Sequence, residues 1–222
     1  NLLDAAGRCG VRRLVFLSSV KAMAEPGDRC IDEDWPGEPA SPYGRAKREA
    51  EQIVLDAGSK FGMHEVNLRL AMVYGRGGHG NLERLAKALA AGWFPRLPET
   101  GNRRSLVHVD DAVAAMRLVA ERPEANGRTY IVADSRAYSG RELCDAICAI
   151  LPSSTLTWGA PAWGLRLGGR IGDIVGDSQV ISRLLDSECY SPARIERELG
   201  WRARMGLMDG LCEMLANSVD IK

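Results

Sequence analysis

The hydrophobic pattern alternates between two kinds of segment. Short, continuous apolar runs bounded by turn residues predict buried strands, and longer runs with apolar positions three and four apart predict helices. "NLLDAAGRCG" opens the chain as a helix, with Leu2, Leu3, Ala5 and Ala6 within two turns and Gly7 and Gly10 closing it. "RLVFLS" (13–18) reads as a buried strand. Residues 19–42 read as a long polar loop interrupted by Pro26, Pro36 and Pro39, and a loop of that length inside a compact domain points to function. A helix follows over about 43–57, with Gly58 as its stop, and "EVNLRLAMVYG" is a second buried strand running into the glycine-rich "GRGGHG". Residues 81–91 form a helix with Leu82, Leu85, Ala86 and Leu89 on one face.

Further along, "RSLVHV" predicts a short strand and "VDDAVAAMRLVAE" a helix with Asp110 and Asp111 at its positive end. "GRTYIVAD" is a strand, and "SGRELCDAICAIL" is a helix with Ser139 and Glu142 spaced as a capping box. Residues 152–189, rich in Gly, Pro and Trp, give no clear pattern. "SPARIERELGW" enters a helix through Ser-Pro and leaves it at Gly200, and "LMDGLCEMLANSV" is a last helix. Strands alternating with helices predict an α/β fold: part of a Rossmann-like, doubly wound parallel sheet with a small α/β lobe over the C-terminal strand ends, where such folds bind ligands. We expect 1–80 and 102–135 to belong to the sheet domain and 81–101 and 136–222 to the lobe.

Composition adds exclusions. The 29 basic and 29 acidic residues balance, which gives no reason to expect nucleic acid or an anionic membrane as partner. No apolar run approaches the roughly 18–20 residues of a membrane span, and no signal-peptide pattern occurs. Six cysteines, at 9, 30, 144, 148, 189 and 212, are scattered without a C-x-x-C pair, which predicts a reduced, cytoplasmic protein. His64, His79 and His108 lack a suitably spaced second ligand, so no metal site is expected. His108 is read as fixing a strand-to-helix turn, and the five tryptophans as packing residues.

The candidate chemistry lies in "SPYGRAKREAE" (41–51), where Tyr43 and Lys47 are four apart on one helical face. An ammonium within about 4–6 Å of a phenol favours the phenolate and brings it into range as a general base. Alone the spacing is weak, because many solvated helices contain it. Context strengthens it: Ser18 and Ser19 end the preceding strand, and a serine at the C-terminal end of a parallel strand faces the ligand crevice.

"NLLDAA", "RLVFLSSVKAMAE", "SPYGRAKREAE", "LRLAMVYGRG", "GNLERLAKAL" and "NRRSLVHVDDAVAAM" together resemble the extended short-chain dehydrogenase/reductase family, in particular its nucleotide-sugar epimerases and dehydratases. The resemblance covers nearly the whole chain and is strongest over residues 1–118. It implies Ser19 as the serine that hydrogen-bonds the reacting sugar oxygen, Tyr43 as acid/base and Lys47 on the nicotinamide ribose. Ser18, Leu70 and Ala71 would lie beside the cofactor. Many relatives have proline where this chain has Leu70, so only backbone contacts are carried over there. Met72, Asn81 and Arg104 would contact the substrate, the last two at its diphosphate, with Arg103 an alternative to Arg104. A helix N-terminus and a guanidinium both suit phosphate.

The implied cofactor is NAD, with NADP not excluded, and the implied partners are a UDP-sugar and a second copy of the chain, paired through the 43–57 helix with Ala46, Ala50, Ile53 and Val54 as candidate contacts. The family's Gly-rich dinucleotide fingerprint does not occur in the sequence, which suggests a fragment that is inactive alone. Val20 and Lys21 stand where dehydratases carry an acidic pair after the catalytic hydroxyl residue, which disfavours 4,6-dehydration. The expected reaction is UDP-hexose 4-epimerisation through a 4-keto sugar, most like the UDP-glucose 4-epimerase group. A 4-keto-sugar reductase and a catalytically inert relative remain as alternatives.

Overall fold

The computed structural model describes residues 2–77, 80–92, 94, 97–151 and 186–216. Its main sheet is parallel, in the order β1 (Arg13–Ser19), β3 (His64–Leu70), β6 (Arg128–Val132). Two short parallel pairs flank its C-terminal edge: β2 (Cys30–Ile31) with β7 (Cys189–Tyr190), and β4 (Met72–Tyr74) with β5 (Leu106–His108). The helices are α1 (Leu2–Arg8), α2 (Pro42–Phe61), α3 (Asn81–Ala90), α4 (Val109–Glu121), α5 (Gly140–Ile150), α6 (Ala193–Leu199) and α7 (Leu207–Ala216).

β3 explains how the sheet is covered. Its residues alternate, but both faces are buried. Val66 and Leu68 pack with Ala112, Ala115 and Val119 of α4 in the main apolar core. Glu65, Asn67 and Arg69 point the other way, against α2, where apolar packing is replaced by a polar seam. The carboxylate of Glu51 on α2 accepts from Arg69 Nε (3.0 Å), Arg69 Nη2 (2.8 Å) and the Ser18 hydroxyl (2.6 Å). Asn67 donates to the Glu51 carbonyl at 3.3 Å. The pair is sealed, with side-chain exposures of 6% and 4%.

The helix expected to stop at Gly58 instead runs to Phe61 and ends on Gly62 in the left-handed region (φ 64°). Gly58 is a contact glycine: a Cβ there would land on the Glu65 carboxyl. The start of α2 matches its sequence signal, with the Ser41 hydroxyl accepting from Gly44 N at 3.0 Å and Pro42 in the first turn. The expected strand 65–75 is split at Ala71. There the chain leaves the main sheet, with Ala71 N donating to Val132 O, and β4 begins a separate pair.

A second apolar cluster joins α3, α5 and α7 through Leu82, Leu85, Leu89, Leu143, Ile147 and Leu211, with Tyr74 and Leu106 at its border. Trp201 is buried in the main core and Trp35 packs against it, whereas Trp93, Trp158 and Trp163 lie outside the described residues. His108 caps α4, accepting from Asp110 N through Nδ1 at 3.3 Å. The Asp111 carboxylate accepts from Arg204 N and Met205 N (3.0 and 2.9 Å), which ties the segment before α7 to α4. On α2, Val54 is buried and Ile53 is 45% exposed, so only part of the apolar stripe considered for pairing faces outward.

The cysteines depart from expectation. Cys30 and Cys189 form a disulfide, while Cys9, Cys144, Cys148 and Cys212 are free thiols. The two are register partners in the β2–β7 pair, and a separation of 159 residues hides this in the sequence.

Two outcomes follow. Glu51→Ala leaves Arg69 charged and buried without its partner, so urea unfolding should show a loss of about 3–5 kcal/mol, while the double change to apolar residues of similar volume should cost much less. Thiol titration of the denatured, unreduced protein should count the four free cysteines, and all six after reduction.

Candidate active site

At the C-terminal end of β1 and β3 a cleft of about 570 Å³ opens between the main sheet and the β2–β7 pair. Seven of the nine residues expected at the site line it: Ser19, Tyr43, Leu70, Ala71, Met72, Asn81 and Arg104. They come from β1, the start of α2, the β3–β4 break, the first residue of α3 and the segment leading into β5. The fold therefore converges them from a sequence span of 86 residues (19 to 104).

Ser19 caps the short 3₁₀ turn Val20–Ala22, its Oγ accepting from Lys21 N at 3.2 Å. With that lone pair used, the hydroxyl proton is left to donate into the cleft. Tyr43 is 56% exposed at the cleft mouth, a large aromatic left open to a ligand. Lys47 does not line the cleft wall. It lies one helical turn behind Tyr43, its ammonium 5.9 Å from the Tyr43 ring centroid and 4.9 Å from that of Phe16, donating to Leu17 O at 2.9 Å. One of its three N–H groups is thereby spent and two remain.

Ser18 is placed differently from expectation. Its hydroxyl is buried on Glu51, because successive strand residues face opposite sides and Ser19 takes the cleft side. Arg104 is 96% buried, and Arg103, the alternative, is exposed with its backbone N on Ser187. The guanidinium of Arg104 donates to Asp186 O (3.0 Å) and to Glu188 Oε2 (3.2 Å).

Sequence reasoning missed the carboxylate side of this cleft. Glu188 reaches in from just before β7 and bridges two cations, Lys21 through Oε1 and Arg104 through Oε2. Its backbone is fixed as well: Ser105 N donates to Glu188 O and Glu188 N to Arg103 O. No local signal marks Glu188, since it lies in the patternless region and meets Lys21 across 167 positions. Tyr190 also lines the cleft, and burial raises its phenol well above the ordinary value.

Among the described residues one group of possible ligating side chains comes together that spacing did not suggest. The ligating atoms of His108, Asp110 and Glu213 all lie within 4.8 Å of one another, a grouping formed when α7 returns to the start of α4. The two carboxylates approach opposite ring nitrogens, 3.8 Å from Nδ1 and 3.4 Å from Nε2, and Glu213 also pairs with Arg76 at 2.8 Å. An imidazole held between two acids describes it better than three ligands facing one ion. His64 bonds Val119 O at 2.9 Å, and His79 lies outside the described residues.

The comparisons with known proteins agree with this architecture. The model of the NAD dependent epimerase/dehydratase family matches residues 1–133, and the chain belongs to that family. It is 28% identical over 214 residues to a UDP-glucose 4-epimerase of Vibrio cholerae, covering 95% of this chain and 64% of that one. It is 29% identical over 220 residues to a dTDP-glucose 4,6-dehydratase of Streptomyces griseus, covering 97% and 61%. Among solved structures, MoeE5 in complex with UDP-glucose and NAD aligns with a TM-score of 0.76 at 25% identity, over 98% of this chain and 68% of that one. Thus the chain spans about two thirds of the length of its relatives. Among the described residues no helix is long and apolar enough to cross a membrane.

One buried carboxyl outside the cleft sets a pH dependence. Asp134, after β6, accepts from the Tyr138 hydroxyl at 3.0 Å, and burial pushes its pKa up from 3.8 to about 7. The folded state therefore holds a proton that the unfolded chain has released. Its stabilising contribution is complete below pH ~4 and is lost as pH rises through about 7. Glu33 and Glu65, also raised by burial, act in the same direction. Unfolding measured between pH 5 and 8 should show stability falling by on the order of 2–4 kcal/mol, and Asp134→Asn should remove most of that slope.

Proposed function

We propose that this chain carries the catalytic residues of an NAD-dependent nucleotide-sugar 4-epimerase, with a UDP-hexose such as UDP-glucose or UDP-GlcNAc as substrate. The observation that carries the reading is the convergence of Ser19, Tyr43, Asn81 and Arg104 on one cleft, with Lys47 a helical turn behind the phenol. The residues fit the nicotinamide-ribose half of the cofactor. Lys47 keeps two N–H donors for ribose hydroxyls beside an open Tyr43, and the backbone of Leu70 and Ala71 forms the adjoining wall. The adenosine half is assigned to no residue here, because the Gly-rich fingerprint does not occur among the 222.

Bound there, NAD would supply the hydride acceptor and donor for the sugar carbon. Tyr43 takes the proton of the 4-hydroxyl, with the Lys47 ammonium favouring the phenolate, while Ser19 donates to the same oxygen and holds it in line. Asn81, at the N-terminus of α3, and Arg104 hold the diphosphate while the 4-keto sugar turns to present its other face. Tyr43 then returns the proton. Dehydration is disfavoured because Val20 and Lys21 follow Ser19, and neither can act as the carboxylate that a dehydratase carries there. A homodimer completes the proposal.

With the full-length protein, NAD and UDP-glucose or UDP-GlcNAc, interconversion of the 4-epimers without net cofactor consumption is the expected result. Tyr43→Phe should lower kcat by about 10²–10⁴ with a much smaller change in KM. Undiminished turnover in that variant, or NADPH consumption confined to a 4-keto sugar, overturns the reading.

A further inference from the structure

Glu188 has no part in the mechanism above, yet it is built into the cleft wall. Its carboxylate is shared by the two cations that line the cleft, Lys21 and Arg104. The remaining charged groups of the lining, Glu25 and Asp186, are both acidic. A carboxylate so placed decides which charge a ligand can bring in. Lys21 is the cation nearest the reacting end, two residues beyond Ser19 and donating its backbone N–H to that serine's Oγ. Arg104 lines the same cleft as Asn81, and the two are the proposed diphosphate contacts. Glu188 has an oxygen on each, and its main chain is fixed on both sides by hydrogen bonds to Arg103 and Ser105.

From this geometry we infer that Glu188 is a specificity-determining residue that makes the sugar end of the cleft select a neutral hexose and reject a hexuronate. The inference rests on the nucleotide-sugar reading. When a diphosphate engages Arg104, Glu188 remains bound to Lys21 and keeps that ammonium from recruiting a second anion. A neutral sugar meets an ion pair that can both donate to and accept from its hydroxyls. A sugar carboxylate at the same place meets Glu188 as a like charge and finds no cation that is not already compensated. Discrimination of this kind works through the repulsive group as much as the attractive one.

The test is a ratio of affinities. Dissociation constants of UDP-glucose and UDP-glucuronic acid are measured calorimetrically with the full-length protein, its Glu188→Gln variant and the Lys21→Met/Glu188→Gln double variant. Because both ligands are titrated into the same preparation, partial misfolding of a variant leaves the ratio intact. Wild type should favour UDP-glucose at least tenfold. Glu188→Gln should shrink that preference about tenfold or reverse it by releasing Lys21, and removing Lys21 as well should cancel the gain. A wild-type preference for the glucuronate, a ratio unmoved by Glu188→Gln, or binding of neither sugar overturns the inference. Failure of the epimerase reading has a different signature: the affinity ratio shifts as expected, but neither sugar is converted.

Discussion

A single buried carboxylate positions the helix that carries Tyr43 and Lys47. Glu51 lies two turns along α2 from Tyr43 and gathers Arg69 of β3 and Ser18 of β1 onto its two oxygens. An ion pair at this depth is costly to desolvate, and its attraction repays the cost only when the geometry is good and the remaining lone pairs are filled. Here Arg69 binds in a fork and Ser18 fills a further site. The arrangement therefore specifies more than it stabilises: it is satisfied at one register of α2 against two strands. That register sets Tyr43 across from Ser19 and Lys47 against the Leu17 carbonyl. The close approach of Gly58 to Glu65 locks the far end of the same helix.

How much of this was legible depended on whether the signal was local. Ser19, Tyr43 and Arg104 could be placed because strand ends and helix starts leave short-range marks, and a parallel sheet brings those marks to one edge. Ser18, expected beside the cofactor, turns its hydroxyl to Glu51 for a reason the same physics supplies. Adjacent strand residues face opposite ways, and the sequence of β1 alone cannot say which serine faces α2; the partner that decides it, Glu51, is 33 residues away. Gly58 looked like a helix stop because glycine is the commonest C-terminal signal, yet Gly62 takes that role and Gly58 is required by a side chain on the next strand. The single strand expected over 65–75 became two because β4 pairs with β5, a partner more than thirty residues downstream (Met72 with Leu106).

The features that left no trace in the pattern all involve the return of the chain to the cleft near residue 188. β7 has only two residues, too few for periodicity, and it follows the least patterned part of the sequence. Yet it and the residue before it make long-range ties around the site: Cys189 bonded to Cys30 of β2, Tyr190 N donating to Ser105 Oγ, and Glu188 between Lys21 and Arg104. Each joins positions more than eighty residues apart, so none could be inferred from spacing.

These contacts give the two sides of the cleft different mechanical characters. The Ser19–Tyr43 side rests on the main sheet and the sealed Glu51–Arg69 seam, which suits a proton transfer that depends on fixed distances. The Arg104 side is held by short strand pairs, a disulfide and an ion bridge that is partly open to solvent, the Lys21 side chain being 41% exposed. Charges at such a surface rearrange at lower cost than buried ones. The Lys21 end of the bridge can therefore rearrange without disturbing the serine and the phenol, while the Arg104 guanidinium, 4% exposed, stays fixed in the wall. Separating rigid chemistry from adjustable charge recognition is what a site needs if it must keep hold of a nucleotide while the sugar attached to it changes orientation.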